Sequence, residues 1–313
     1  GNQALAAVGS TSALNNLIVN LFIGLSIGVN VLVARYYGAG QTRDLYETVH
    51  TSILTAAISG VVLIFLGMGL SRPLLQMMET PADVIDHSVL YMRIIFAGMP
   101  ASMLYNFGAA VLRAVGDTQR PLYFLLTAGV INVVLNLFFV IVLHMGVAGV
   151  ATATVISQCV SAALVILCLV HSEGVYHLDI KRLRIYKRKL KEIARIGIPA
   201  GIQGSMFSIS NVLIQSTINS FGSVAMAGST AAGNIEGFVW TAMDAFTQAT
   251  QSFVGQNYGA KKIDRVNKVI WQCMILVTGV GLVLGVGAYL AANPLLGIYS
   301  SDPAVIEYCK ARM

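Results

Sequence analysis

The sequence predicts an all-α integral membrane protein, built as two six-helix lobes related by a parallel internal repeat. Three observations predict this class: a shortage of charged residues, eight long apolar runs and a duplicated set of motifs. Of the 313 residues, 56% are hydrophobic and only 11% are charged, whereas soluble globular proteins carry about 25% charged residues. So apolar a composition, with a mean hydropathy of +0.73, excludes an ordinary soluble protein.

Eight apolar runs are long enough to cross the hydrocarbon core of a bilayer, which takes about 20 residues in helical conformation. Each run is continuously apolar rather than alternating, which favours helices over the strands of a membrane barrel. The predicted spans are residues 11–34, 49–70, 91–112, 121–143, 147–170, 193–221, 224–255 and 267–291.

The distribution of basic residues gives these spans an orientation. Of the 20 Lys and Arg residues, sixteen fall in alternate connections and four on the opposite side. The positive-inside rule therefore places the sixteen-residue side in the cytoplasm. The longest polar connection, residues 171–192, carries much of this charge. We interpret it as a basic cytoplasmic linker facing anionic lipid headgroups, rather than as a nucleic-acid-binding segment.

Three segments recur at an offset near 220 residues, which indicates an internal repeat. The matched pairs fall at equivalent points of the pattern of spans, so chance similarity is a poor explanation. The pairs are GSTSALN at 9–15 with GSTAAGN at 228–234, YGA at 37–39 with YGA at 258–260, and RPLLQMMETPADVID at 72–86 with NPLLGIYSSDPAVIE at 293–307.

The two copies begin on the same side of the membrane and are therefore predicted to be parallel repeats. Residues 1–170 would form the N-terminal lobe, with helices two to six of a six-plus-six bundle, and residues 193–313 an incomplete C-terminal lobe with helices seven to nine. We therefore expect the complete pattern to include one helix before this chain and three after it. Two similar lobes around a central cleft suit transport by alternating access.

Several of these segments resemble the family of multidrug and toxic compound extrusion (MATE) transporters. The resembling motifs, in chain order, are ALAAVGSTSALNNLI, VARYYGAGQTRD, LYNFGAAVLRAVGDTQRP, VINVVLNLFFV followed by MGVAGVATATVISQ, and VGQNYGAKKIDR. The resemblance implies a monomeric secondary antiporter of the inner (plasma) membrane that exports amphipathic organic cations. It also implies that inward flow of H⁺ or Na⁺ drives export and that no cofactor is needed.

Two features separate the chain from NorM-type members, which carry an acidic residue in the first helix of the second lobe. The matching span here, residues 193–221, contains neither Asp nor Glu. Where fifth helices of the family often read Leu-Asp-Pro, this chain reads Leu135-Asn136-Leu137. The resemblance therefore implies a bacterial member that is DinF-like or unclassified.

Two carboxylates, Glu236 and Asp244, lie within a predicted span. A charge at the middle of a bilayer costs about 2.5–3.5 kcal/mol, so each acid needs a partner, a hydrated cavity or a proton. We predict that both take part in cation coupling, by loading and releasing H⁺ or Na⁺. Trp240 lies between them and offers its π face to an organic cation. The alternative is a protonated carboxyl group hydrogen-bonded to a neighbouring helix.

Uncharged polar residues form a candidate substrate cavity. They follow a four-residue rhythm along the sixth span, where an aromatic residue fills one position, and they recur in earlier spans. Together they suggest a hydrated lining for weak, tolerant binding of bulky cations, although each amide can instead hydrogen-bond between helices. The candidates are Gln203, Phe207, Asn211, Gln215 and Asn219 of the sixth span, and Asn15, Asn20, Asn106, Asn132 and Asn136 of earlier spans.

Prolines, histidines and cysteines carry weaker signals. Pro100 interrupts the third span and Pro199 lies near the cytoplasmic end of the sixth, so both are expected to bend their helices. The five histidines, His50 among them, lie at or near predicted helix ends, where solvated side chains are the default. The four cysteines show no zinc-like or disulfide spacing, so no metal site is expected.

Two other functions stay open. A flippase for lipid-linked oligosaccharides has a related architecture but tends to line its cavity with Arg or Lys, and the spans here lack cationic residues apart from Arg93. An intramembrane enzyme would need an aspartate-rich motif, a histidine-rich metal cluster or a buried Ser–His pair, and the sequence shows none of these. Export is therefore the leading interpretation, and the chain is not expected to be an enzyme.

Overall fold

A computed structural model describes residues 2–77, 85–219, 223–292 and 306. All regular elements in these residues are helices, which confirms the all-α class. A five-residue π-helix, Phe138–Val142, follows α5, and a short 3₁₀ turn, Ile180–Arg182, precedes α7. The α-helices are α1 (Asn2–Gly38), α2 (Thr42–Met77), α3 (Ile85–Ala97), α4 (Met99–Ala114), α5 (Gln119–Leu137), α6 (Gly146–Val170), α7 (Lys187–Asn219), α8 (Ser223–Gly259) and α9 (Ile263–Leu290).

The described helices have the length and hydropathy of a multi-span membrane protein. The bent pair α3 and α4 would cross a bilayer as one span. Helices α7 and α8 are long but more polar, so the predicted count of eight spans stays a prediction. Five segments of the described residues are long and apolar enough to cross by themselves: Ile18–Gly38, Thr42–Gln76, Gln119–Val142, Gly146–Val170 and Ile263–Leu290.

The third predicted span is broken into two helices, as its proline leads us to expect. Helices α3 and α4 meet at an angle of 46°, with Gly98 between them. Pro100 lies in the first turn of α4, where a missing N–H is tolerated, whereas in a continuous helix it would leave the carbonyl of Phe96 without a donor. Pro199 behaves differently, because α7 continues through it.

The chain divides into two compact units, residues 1–208 and 209–313. In the first unit, buried side chains of α1 to α4 and α6 form a hydrophobic core that includes Phe96, Phe107 and Val165. In the second unit, α8 packs along α9. The first part of α7, up to Ser208, belongs to the first unit.

The segment before α7 is attached to α2 rather than freely solvated. The backbone N–H of Asp179 donates to Nε2 of His50 at 3.1 Å, and the backbone N–H of Tyr186 donates to Oγ1 of Thr51 at 3.1 Å. His50 is completely buried, so the expectation of a solvated histidine is wrong at this position. The reason is tertiary: the linker lies over the face of α2 that carries His50.

Glycines allow α1 and α7 to touch backbone to backbone within the first unit. A Cβ atom added at Gly24 would lie 2.2 Å from the backbone nitrogen of Gly201, and one added at Gly28 would lie 2.4 Å from the carbonyl oxygen of Ile193. A Cβ atom added at Gly197 would lie 2.6 Å from Cα of Leu25 on α1. The segments GLSIG and GIPAG therefore set how closely the two helices approach.

Gly24→Ala should destabilise the first unit, because the added methyl group overlaps the backbone of α7. We expect a loss of about 1–3 kcal/mol, measured as a lower midpoint of thermal unfolding in detergent. Gly129→Ala is the matched control, because nothing lies within 4 Å of a Cβ atom added there and alanine favours the helical conformation. Equal midpoints for the two variants would contradict the close contact of α1 with α7.

Candidate functional site

One face of α8 forms a depression of about 200 Å³ with α9 in the second unit. Its side chains recur at helical spacing, so successive turns of α8 bring them together. Glu236 and Trp240 lie one turn apart on this face, and Met243 follows at the next turn. The remaining lining residues are Ile235 and Val239 of α8 and Gly285 and Ala288 of α9.

The depression combines one carboxylate with a largely apolar surface. Glu236 is exposed, and the Trp240 side chain is 64% exposed. A carboxylate beside an aromatic ring and a methionine suits a cation with apolar substituents, because the charge contacts the carboxylate and the π face while the hydrocarbon contacts the other side chains. The structure thus places Glu236 and Trp240 side by side, and their roles in transport stay predictions.

Asp244 does not line this depression. Its Oδ2 accepts a hydrogen bond of 2.7 Å from Nε2 of Gln248, one turn further along α8. The structure therefore does not bring the two predicted coupling carboxylates into one site. Across the described parts of the chain, no three His, Cys, Asp or Glu side chains come together as a metal site would require.

The polar stripe predicted for α7 is solvent-exposed where its side chains are described. Gln203 and Asn211 are exposed, and Phe207 is 54% exposed. Exposure is what a cavity lining requires, but it does not by itself identify a ligand, so their role stays a prediction. The remaining candidates, Asn15, Gln215 and Asn219, have side chains outside the described part of the structure.

Two of the predicted cavity residues form hydrogen bonds within the helical scaffold. Asn20 donates to Oγ of Ser208 at 2.8 Å and to the carbonyl oxygen of Gly204 at 3.4 Å, which joins α1 to α7. Asn106 donates to the carbonyl oxygen of Ser102 in its own helix at 2.8 Å. For Asn20, the contacts match the alternative in which an amide joins two helices.

Asn132 and Asn136 belong to a cluster of amides and hydroxyls between α5 and α6. Nδ2 of Asn132 lies 3.4 Å from the hydroxyl oxygens of both Thr154 and Ser157, and Asn136 donates to Oδ1 of Asn132 at 3.0 Å. Oδ1 of Asn136 and Oε1 of Gln158 are buried and have no hydrogen-bond partner among the described residues. Because a buried acceptor normally has a partner, each of these oxygens is a candidate to bind water or a small cation.

A buried ion pair at the start of α7 was not foreseen from the sequence. The side chain of Lys189 is 0% exposed and pairs with Asp44 at the start of α2. Its Nζ lies 3.9 Å from the centroid of the Tyr36 ring. The Tyr36 hydroxyl donates to Glu192, which also accepts a 3.1 Å hydrogen bond from Nε of Arg188. The basic residues next to Lys189 in the sequence have exposed side chains, so the sequence pattern does not distinguish Lys189 from them.

The surroundings of Lys189 and Glu192 favour the charged form of each side chain. Burial alone would lower the pKa of Lys189, but its contacts with Asp44 and Tyr36 outweigh this effect and raise the pKa. Burial would raise the pKa of Glu192, but hydrogen bonds from Tyr36 and Arg188 hold that pKa below its usual value. Both shifts favour the folded state between the ordinary pKa values of 4.5 and 10.5, and the contribution is lost in more acidic or more alkaline solution.

Comparison with known proteins decides the family. The sequence model of the MatE family matches residues 1–138 and 199–312. The chain belongs to the MatE family. Members of this family are transporters and not enzymes, so the chain is a membrane transporter, as the sequence motifs led us to expect.

Relatives of this MatE chain include a multidrug resistance protein and a transporter of FAD. The probable multidrug resistance protein YoeA of Bacillus subtilis is 30% identical, over 96% of this chain and 67% of YoeA. The FAD transporter of Shewanella oneidensis is 25% identical, over 98% of this chain and 69% of its own length. An outward-facing multidrug resistance MATE transporter superposes with a TM-score of 0.93 at 22% identity, over 99% of this chain and 70% of that one. The fold is therefore that of MATE transporters.

Asn132→Leu tests the hydrogen bonds between α5 and α6 of this MatE chain. We expect a loss of about 1–3 kcal/mol, because the change removes the partner of Asn136 and two contacts with α6. Thermal unfolding in detergent measures it. Val133→Leu, at a neighbouring position that is 59% exposed, should leave the midpoint unchanged. A wild-type midpoint for Asn132→Leu would show that the cluster adds no net stability.

Proposed function

We propose that this transporter exports amphipathic organic cations, including drugs, in exchange for inward-moving H⁺ or Na⁺, with its two lobes giving alternating access. The observation that carries the proposal is the placement of Glu236 beside Trp240 and Met243 in the α8–α9 depression. A probable multidrug resistance protein among the relatives supports this choice of cargo. A monomer in the inner (plasma) membrane belongs to the same proposal.

A single carboxylate couples two cations when binding of one excludes the other. Beside the apolar and aromatic side chains of the depression, the carboxylate of Glu236 offers one negative charge, which binds one cation at a time. An organic cation over Trp240 satisfies the carboxylate in one half of the cycle, and H⁺ or Na⁺ satisfies it in the other. Departure of the cargo then requires arrival of the coupling ion. The carboxylate of Asp244 accepts a hydrogen bond from Gln248, so Asp244 contributes less to this exchange.

The cluster between α5 and α6 offers a second place for Na⁺, in addition to the exchange at Glu236, and this favours Na⁺ over H⁺ as the coupling ion. Its side chains are amides and hydroxyls, which bind a cation through oxygen atoms and do not carry a proton at physiological pH. The buried Oδ1 of Asn136 is a ligand on offer, and Oε1 of Gln158 on α6 is a second buried oxygen without a partner among the described residues. Neutral oxygens coordinate Na⁺ in other transporters as well.

A flavin dinucleotide is the second candidate cargo, because one relative is an FAD transporter. FAD carries phosphate groups, and the carboxylate of Glu236 in the depression repels them. The pyrophosphate of a lipid-linked oligosaccharide meets the same repulsion. The geometry therefore favours an organic cation over either anionic cargo.

Glu236→Gln tests the proposed anchor, because the amide keeps the shape of the side chain and removes its negative charge. In the intact protein reconstituted into liposomes, we expect efflux of a fluorescent organic cation to fall by about tenfold or more, which corresponds to about 1.4 kcal/mol of lost binding. Asp244→Asn removes the same charge from the same helix outside the depression and should have a smaller effect. Full efflux by Glu236→Gln, or efflux of FAD in place of the cation, would contradict the proposal.

The coupling ion is tested by imposing one gradient at a time on the same liposomes. A Na⁺ gradient at constant pH should drive efflux, whereas a pH gradient without Na⁺ should drive almost none. Asn136→Leu should abolish the response to Na⁺, because it removes an oxygen ligand from the α5–α6 cluster. Efflux driven by the pH gradient alone would assign the coupling to H⁺.

A further inference from the structure

We propose that the first half of α7 (residues 187–208), α1 and the start of α2 form a cytoplasmic closure that separates in each transport cycle. The closure is latched by the four residues Lys189, Asp44, Tyr36 and Glu192, called here the Lys189 latch. The inference rests on the proposed alternating access, but part of its test does not require transport to occur.

The closure joins parts of the chain that the internal repeat assigns to different copies. The predicted span at 193–221 opens the second copy, whereas α1 and α2 belong to the first. Even so, residues up to 208 of α7 lie in the same compact unit as α1 and α2. If the two copies move as lobes, contacts between them on one side of the membrane must break when that side opens. The basic linker that leads into α7 places these contacts on the cytoplasmic side.

The contacts form three layers along two antiparallel helices. The Lys189 latch lies at the end nearest the linker, with the Lys189 Nζ 3.9 Å from the centroid of the Tyr36 ring. The glycine contact follows, and the 2.8 Å hydrogen bond from Asn20 to Ser208 closes the inner end. From Tyr36 to Asn20 the layers extend over about 24 Å of helix.

The composition of these layers suits a contact that opens and closes. Where glycines face each other, there are few interlocked side chains to disengage, unlike the core, where Phe96 and Phe107 are completely buried. The outer layer is an ion pair at the membrane edge, where water replaces the partner of each charge as the helices separate. Such a contact fixes how the two helices align along their length, and the helices can still separate.

The repeat shows that the latch is not a general feature of the turns between paired helices. At the offset of 221 residues that aligns the two YGA segments, the counterparts of Tyr36 and Asp44 are Asn257 and Arg265. The second copy thus lacks the aromatic ring and reverses the charge. The shape of the turn therefore does not explain why Tyr36 and Asp44 stand at these positions. Their contacts with the other two residues of the Lys189 latch do.

The test measures how fast a cysteine inside the closure reacts from the cytoplasmic side. Ile193→Cys, at a fully buried position facing Gly28, is introduced into the intact protein after Cys159, Cys168, Cys273 and Cys309 are replaced by serine. Inside-out vesicles are treated with a membrane-impermeant maleimide. We expect Lys189→Met or Asp44→Asn to raise the labelling rate by about tenfold, because loss of the latch shifts the population towards the open closure.

Two controls separate opening of the closure from other effects. Lys191→Met removes an exposed charge from the same helix and should change the rate by less than about twofold. Val165→Cys, at a fully buried position in α6 outside the closure, should stay unlabelled in every variant. Unchanged labelling of Ile193→Cys in both latch variants would overturn the proposal, and so would labelling of Val165→Cys, which would indicate unfolding.

A cross-link gives the complementary result. In the variant with Tyr36→Cys and Glu192→Cys, whose short side chains leave a gap where the longer ones met at their tips, a bis-methanethiosulfonate cross-linker that spans the gap should stop export, and reductive cleavage of the linker in the same molecules should restore it by about tenfold or more. Export by the cross-linked form would show that the closure does not open. If the wild-type protein exports no cation under any gradient while latch variants still raise labelling, the proposed function fails and the latch stands.

Discussion

The low dielectric constant inside a membrane protein is the constraint on which this structure depends. A buried charge persists there only with a compensating partner. At Lys189 the chain itself supplies the partners, a carboxylate and the ring of Tyr36. At Glu236 the neighbouring side chains of the depression are apolar or aromatic, and the proposed function places a bound cation there. One physical requirement thus explains a structural ion pair and a proposed transport site.

Helix packing follows the same constraint. Between lipid-facing helices there is little hydrophobic driving force, so close backbone approach and interhelical hydrogen bonds decide which helices associate. The glycines of α1 and α7 allow the close backbone approach, and the hydrogen bond from Asn20 to Ser208 joins the two helices. The amides of α5 also form hydrogen bonds with the hydroxyls of α6. Two acceptor oxygens, those of Asn136 and Gln158, have no partner among the described residues. The polar cluster joins the two helices, and the proposed function assigns it a role in binding an ion.

Local patterns were enough to predict the helices, the bend near Pro100 and the proximity of Glu236 to Trp240, because each depends on residues within one or two turns. The burial of Lys189 and His50 could not be predicted in this way, since their partners lie 145 and 129 residues away in the sequence. The π-helix after α5 and the unpartnered oxygens of Asn136 and Gln158 were likewise not predicted. The sequence therefore indicates which residues are unusual, and only the structure shows which of them are already paired.

Exchange at a shared carboxylate is the central claim, and simultaneous measurement of both fluxes tests it most directly. Liposomes containing the intact protein are supplied with a fluorescent organic cation and with labelled Na⁺ on opposite sides of the membrane. The account predicts that Na⁺ enters only while the organic cation leaves, in a constant ratio, and that both fluxes stop when either ion is withheld. Steady entry of Na⁺ without cargo, or export without entry of Na⁺ or H⁺, would contradict it.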